Sequence, residues 1–172
     1  MPICIIYHSE TGNTRRVAEE VARATGADLV EVKDLAHYSR IGRYLKGAPR
    51  ANRGERDAIE PSVIDVTAYD TIAVGSPVWS GHPTPAINAA IDGLKGCEGK
   101  AGIAFCTAGG MPGQTLEIMR SALEGRGMAV QGAVALTAKE VKAGDMTKKL
   151  AELVSSTSAG SSMRAPPPAP PA

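Results

Sequence analysis

Aromatic side chains are scarce in this 172-residue chain: one Trp, one Phe and four Tyr. A core with so few rings must be built from aliphatic residues, so any ring outside a core pattern is informative. Cysteine is sparse as well. Cys4, Cys97 and Cys106 form neither a CxxC pair nor an even set. That excludes a disulfide framework and leads us to expect reduced thiols in the cytoplasm. Neither charge sign dominates, since the formal net charge is +1, and no nucleic-acid partner is expected. No apolar run approaches the length of a membrane span, so no membrane partner is expected either. The N-terminus enters a strand pattern directly, without the basic-then-apolar run of a signal peptide. Two nucleotide motifs are also missing. There is no GxGxxG for a dinucleotide and no GxxxxGK[ST] for a nucleoside triphosphate. The stretch GLKGCEGKA, Gly93 to Ala101, fails the second in spacing and in its last residue.

What is present is aliphatic and periodic. Hydrophobic residues make up 43% of the chain, enough for one domain with a real core. Strand patterns fall at Pro2 to Tyr7, Leu29 to Val32, Thr71 to Gly75 (closed by Gly75), Ala101 to Cys106 and Met128 to Leu136. Helix patterns alternate with them. Val17 and Val21 mark a helix over Thr14 to Ala24. Ile87, Ile91 and Leu94 mark another; Leu116, Met119 and Leu123 mark a third, ended by Gly125 and Gly127; Met146, Leu150 and Leu153 mark the last. Nearly continuous apolar strands alternating with helices predict an α/β fold, a parallel sheet covered on both faces. Two segments break the rhythm. His37 to Glu60 carries Arg40, Arg43, Lys46, Arg50, Arg53 and Arg56, the first three on one face of a short helix. Ser155 onward is rich in serine and then proline, which predicts a disordered tail over residues 155–172 after a domain over residues 1–154.

The chemistry concentrates in three turns. Ser9, Glu10, Thr11, Gly12, Asn13 and Thr14 join the first strand to the first helix. Helix-start N–H groups carry partial positive charge and bind phosphate without a formal cation. Ser9, Thr11 and Thr14 add hydroxyls, Gly12 permits close approach, and Asn13 suits a cap. The turn is too short for two phosphates, so one terminal monophosphate is the best match. A hydroxyl-capped helix start with no ligand is the competing reading. The second turn, GSPVWSGHPTP, follows the third strand and places Trp79 in a loop rather than on a core face. The third, TAGGMPGQ, follows the fourth strand and brings backbone N–H groups toward a flat ligand. In a parallel sheet all three turns share the carboxyl edge, where ligands bind.

These residues resemble the flavodoxin family. Ser9 to Thr14 is similar to its phosphate loop. Tyr69-Asp70-Thr71 through Ser76, Pro77, Val78, Trp79, Ser80 and Gly81 is similar to its third strand and first ring-contacting loop. Cys106, Thr107, Ala108, Gly109 and Gly110, with Gly113 beyond, is similar to its second ring-contacting loop. The resemblance covers Pro2 to about Val154. It implies a flavodoxin-like three-layer sandwich, a five-stranded parallel sheet in order 2-1-3-4-5. It also implies noncovalent FMN with its phosphate on Ser9 to Thr14 and its ring between the Trp79 and Gly109–Gly110 loops. A backbone carbonyl from Trp79 to Gly81 would then accept the proton of flavin N5, and no side chain would act as a catalytic acid or base. The implied role is electron transfer to redox partner proteins or a small-molecule acceptor.

The sequence also departs from the family. No aromatic stands in Thr107 to Gln114, so stacking on the ring is expected on one side only. The chain is near neutral, so acidic steering toward basic partners is not implied. Arg15 and Arg16 sit in the first helical turn, where cations oppose the helix dipole; they either offset a phosphate or project into water. His82 is expected to be a surface histidine, Cys106 a buried inert thiol, and the basic segment a solvated face. His8 and His37 lack metal-ligand spacing. Two rival functions stay open: an FMN-dependent NAD(P)H:quinone-type oxidoreductase, and a flavin-free binding module.

Overall fold

The computed structural model describes residues 1–161, with the side chains of Arg40, Arg43, Tyr44 and Ser161 outside that description. Five main strands form the central sheet: β1 (Ile3–Tyr7), β2 (Asp28–Glu31), β3 (Thr71–Trp79), β4 (Ala101–Ala108) and β5 (Ala129–Thr137). All pair in parallel in the order β2-β1-β3-β4-β5, as expected. The helices between them are α1 (Asn13–Thr25), α2 (Pro85–Asp92), α3 (Thr115–Gly125), α4 (Ala138–Ala143) and α5 (Asp145–Ser161).

Strand alternation divides the core in two. Cys4, Ile6, Ile72, Val74 and Ala104 face Ile87, Ile91, Met119 and Leu123 of α2 and α3. Ile3, Ile5, Ala73, Ile103 and Phe105 face Val17, Val21, Leu150 and Val154 of α1 and α5. Because side chains alternate at a period of two, one apolar strand serves both layers. The strand order reverses between β1 and β3. The connections from those strands therefore diverge to opposite faces and leave a crevice at their carboxyl ends.

Two expected boundaries move. β3 does not stop at Gly75 but continues to Trp79. Gly75 instead makes room for the lone phenylalanine, since a Cβ there would lie 2.2 Å from the Phe105 ring. The last helix likewise runs past Val154, into the expected tail. α5 continues to Ser161, and Ser158 is buried with its hydroxyl donating to the Met1 carbonyl at 3.4 Å. Residues 155–161 are thus helical, while the proline-rich remainder of the expected tail lies outside the described residues.

Between β2 and β3 the chain makes an excursion. Lys33–Asp34 pairs antiparallel with Ile59–Glu60 at its base. Its outer part is a helical turn at Arg40–Gly42, a wider π turn at Arg43–Gly47 and a short helix at Ala48–Asn52. The basic segment forms this excursion, which folds over the carboxyl edge of the sheet.

Candidate functional site

At the start of α1 the backbone turns through Gly12 at φ +90°, a conformation that glycine adopts without strain. No side chain caps the helix from that position. Ser9 Oγ accepts from the Arg15 N–H at 3.2 Å, and the Gly12 carbonyl accepts from the Arg16 N–H at 2.9 Å. The helix start at Asn13 and Thr14 faces the turn beside the Thr11 hydroxyl, to which Asn13 Nδ2 lies at 3.5 Å. Thr14 is buried, and its hydroxyl pairs with that of Thr107 at 2.7 Å. That bond locks the first turn to the third.

The second wall is a hairpin. Trp79 at the end of β3 pairs with His82, and the intervening Ser80 and Gly81 both have positive φ, +50° and +78°. Two such residues are the pattern of a type I′ hairpin turn. So Trp79 ends a strand and is held rigidly, rather than standing in a loop. Its indole is only 8% exposed. Tyr38 meets it edge-on, with ring centroids 5.5 Å apart and planes at 85°. On the Gly47 side, a Cβ would lie 2.6 Å from the indole, so only glycine lets the excursion backbone lie there. The Gly-rich third turn closes against the hairpin. Gly113 approaches Gly81 so closely that a Cβ would come within 2.4 Å of the Gly81 Cα.

A cavity of about 440 Å³ joins these parts, lined by Glu10, Thr11 and Asn13 below, Pro77 to Ser80 and Ala48 on one side, and Thr107 to Gly109 on the other. The expected residues are thus brought together, with exceptions. Ser76 is buried within β3 and binds inward, accepting from the Thr84 N–H and donating to the Pro77 carbonyl. Gly81 and Gly113 shape the wall without lining it, and Gly110 does not line it; nor do Ser9, Gly12 and Thr14 of the first turn. Two carbonyls of the hairpin turn are already engaged. His82 Nδ1 lies 2.8 Å from the Ser80 oxygen, and the Gln114 N–H donates to the Gly81 oxygen at 2.8 Å. His82 therefore has a structural partner in its own turn.

The charges around the cavity are largely paired. Arg15 bonds Glu31, and Arg16 bonds Glu20 at 2.9 Å, so both arginines are directed to carboxylates rather than to the turn. Glu10 lies 3.4 Å from His8 Nε2, and His8 Nδ1 donates to the Val32 carbonyl at 3.0 Å. Burial pushes the His8 pKa down, but the Glu10 contact, the Val32 carbonyl and the charges of Glu10 and Asp34 outweigh it, and the net shift is upward. Burial pushes the Cys106 thiol up to about 12, which keeps it an inert protonated group as expected. In the basic excursion, Arg50 bonds Glu55 at 2.6 Å and pairs with buried Asp57, Arg53 bonds Glu55 at 2.6 Å, and Arg56 pairs with Asp92. Arg50, Arg53 and Arg56 are therefore paired within the chain, Arg53 and Arg56 while their side chains stay more than half exposed.

Tyr38, Gly47 and Ala48 are the site residues that sequence reasoning missed. They lie about thirty to forty residues before Trp79 in sequence, in a segment whose pattern is dominated by arginines. The small residues Gly47-Ala48 were the available signal.

The family model described as flavodoxin matches residues 2–125. This chain belongs to the flavodoxin family. A curated flavodoxin from Haemophilus influenzae is 27% identical over 75 residues, 44% of this chain. The match spans only 30% of that flavodoxin's length. Among solved structures, one from Bacteroides eggerthii superposes with a TM-score of 0.71 at 24% identity, covering 89% of this chain and 97% of the other. A flavoprotein from Lactobacillus acidophilus, solved in complex with FMN, gives a TM-score of 0.65 at 24% identity, covering 83% and 97%. The flavodoxin fold therefore extends through the carboxyl-edge crevice where the cavity lies. No helix among the described residues is long and apolar enough to cross a membrane.

Proposed function

We propose that this flavodoxin-family chain binds FMN noncovalently and transfers electrons. The observation that carries the reading is the continuous cavity running from the start of α1 to the Trp79 wall. The residues present match the group. Gly12 bears no side chain and has nothing within 4 Å of its Cβ position, so the phosphate approach is clear. Thr11 and Asn13 offer polar groups at the cavity, and the partial positive charge at the start of α1 favours an anion. Glu10, the one acid in the turn, is turned to His8, which offsets its repulsion. Trp79 and the small residues Ala108 and Gly109 leave a flat slot for the ring. The FMN-bound Lactobacillus acidophilus flavoprotein supports this choice of flavin.

When bound, FMN supplies the redox chemistry, and the chain orients it and limits water at its inner side. Ile41 and Leu45, each 71% exposed, and Met111, 87% exposed, stand on the two segments that wall the cavity. Large exposed apolar residues mark contact surfaces. Electrons thus pass to a partner protein or small acceptor by apolar contact, in the cytoplasm, where the three buried free thiols stay reduced. The test is the absorption spectrum of the purified chain, with the released cofactor identified by mass, followed by titration with FMN and riboflavin. Flavin absorption with FMN released, and FMN bound much more tightly than riboflavin, is expected. A colourless chain that refuses added FMN refutes the reading. Steady NADPH oxidation with a quinone, by pure protein, would replace the carrier with an oxidoreductase.

A further inference from the structure

We propose that Tyr38, Asp57 and Arg50 are positioning residues of the flavin site, acting through the Trp79 indole. The proposal rests on the flavin reading above. It arises from the basic excursion, whose arginines the electron-transfer role does not use.

Among the described residues Trp79 is the single aromatic lining the cavity, and its setting is what the excursion controls. The Tyr38 ring stands nearly perpendicular to it, with centroids 5.5 Å apart. The Tyr38 hydroxyl is held twice, donating to Asp57 Oδ2 at 2.7 Å and accepting from Arg50 Nη1 at 2.7 Å. Arg50 closes the triangle by pairing with Asp57 Oδ1, on a side chain only 1% exposed. It also bonds Glu55 at 2.6 Å and the Arg56 carbonyl at 3.1 Å. The triangle is anchored to the rigid body of the fold. The Asp57 N–H donates to the Pro85 carbonyl at 3.4 Å, and Asn88 of α2 donates to the Glu55 carbonyl at 3.0 Å.

A Trp held by apolar contact alone keeps freedom to tilt. Here a buried carboxylate bonded by Tyr38 and Arg50, with Asp34 beside it, fixes the polar end of the phenol, and the phenol packs on the indole. The Gly47 backbone bounds the indole from another side. Burial first, then Asp57, pushes the Tyr38 hydroxyl up to about 12, so it stays a neutral donor across ordinary pH. A loss of this clamp would let the indole move without removing it, which changes both flavin affinity and the environment of the ring.

A double-mutant cycle tests this, because a residue acting through Trp79 has no effect once Trp79 is gone. The variants are Tyr38→Phe, Trp79→Ala and the pair together. Arg50→Lys replaces Tyr38→Phe in the cycle if that variant folds poorly. The readings are the FMN dissociation constant, the midpoint potential and, for the Trp-bearing chains without flavin, the near-UV circular dichroism of the indole. Tyr38→Phe is expected to weaken FMN binding about two- to tenfold, the worth of one hydrogen bond. It should shift the potential in the same direction as Trp79→Ala and alter the indole band. In the Trp79→Ala background it should change neither constant. Effects of equal size with and without Trp79 overturn the proposal, as does an unchanged potential beside an altered indole band. If the unmodified chain takes up no FMN, the flavin reading falls by itself. The flavin-free indole band then still decides whether the clamp acts on Trp79: no change refutes it.

Discussion

Replacing Trp79 with alanine separates the ring contact from the phosphate contact. The structure sets the magnitude. Trp79 is 8% exposed before any ligand arrives, because Tyr38 and Gly47 already cover it. Of the roughly 250 Å² that a Trp presents, only about 20 Å² remains to be buried, worth about 0.5 kcal/mol. Stacking adds about 0.5–1.5 kcal/mol beyond area. The sum, about 1–2 kcal/mol, corresponds to a loss of about five- to thirtyfold in FMN affinity. The phosphate cradle is untouched, so binding persists. The same substitution empties a core position and costs about 3–5 kcal/mol of fold stability, so the titration must be run well below the melting temperature. The assay is direct, since the chain has a single Trp. In the unmodified protein FMN should quench the tryptophan emission almost completely and saturate at one flavin per chain. Flavin fluorescence then reports the Trp79→Ala titration. Bright tryptophan emission in the flavin-saturated protein would place the ring away from Trp79 and refute the assignment. An affinity loss beyond about a hundredfold would refute the area argument, which allows only about 2 kcal/mol.

Gly12→Val should abolish FMN binding at a cost of about 1–3 kcal/mol of stability from the strain of φ +90°, and the fold should survive because nothing lies within 4 Å; an unchanged FMN dissociation constant would make the turn a helix start only. Truncation after Val154 should cost about 1–2 kcal/mol, or about 2–8 °C in melting temperature, since it removes the buried Ser158 and seven helical residues. Truncation after Ser161 measures the remaining tail separately. The His8 pKa lies above its usual 6.5, so the stability contributed by its Glu10 contact is complete below pH 6.5 and is lost as pH rises through the raised value. Melting temperatures between pH 5 and pH 9 should show that fall, and His8→Gln should flatten it.

Residues close together in sequence were readable where local rules govern them. The turn from Ser9 to Thr14 announced itself because a strand pattern ran directly into a helix pattern through hydroxyls and a glycine. Gly75 misled, because a glycine in a strand pattern reads equally well as a terminus or as room for a neighbour. Which of these holds depends on Phe105, thirty residues away on β4. The helix beyond Val154 was hidden for a similar reason. Its serines lack an apolar stripe, and a contact distant in sequence, buried Ser158 with the Met1 carbonyl, ties them to the domain.

By itself the sequence determined the alternation of strands and helices, hence the parallel sheet and the carboxyl edge where its three turns meet. Hydrophobic period and turn chemistry act over a few residues and can be read without contacts. Only the tertiary structure decided what surrounds Trp79. The arginines of the excursion looked like a surface charge run. Glu55 and Asp57 follow Arg50 closely in sequence, but Asp92 reaches Arg56, and Trp79 reaches Tyr38, only when the chain folds back over the crevice. Ion pairs and ring contacts form between residues brought close by folding, and no local pattern encodes which cation will meet which acid.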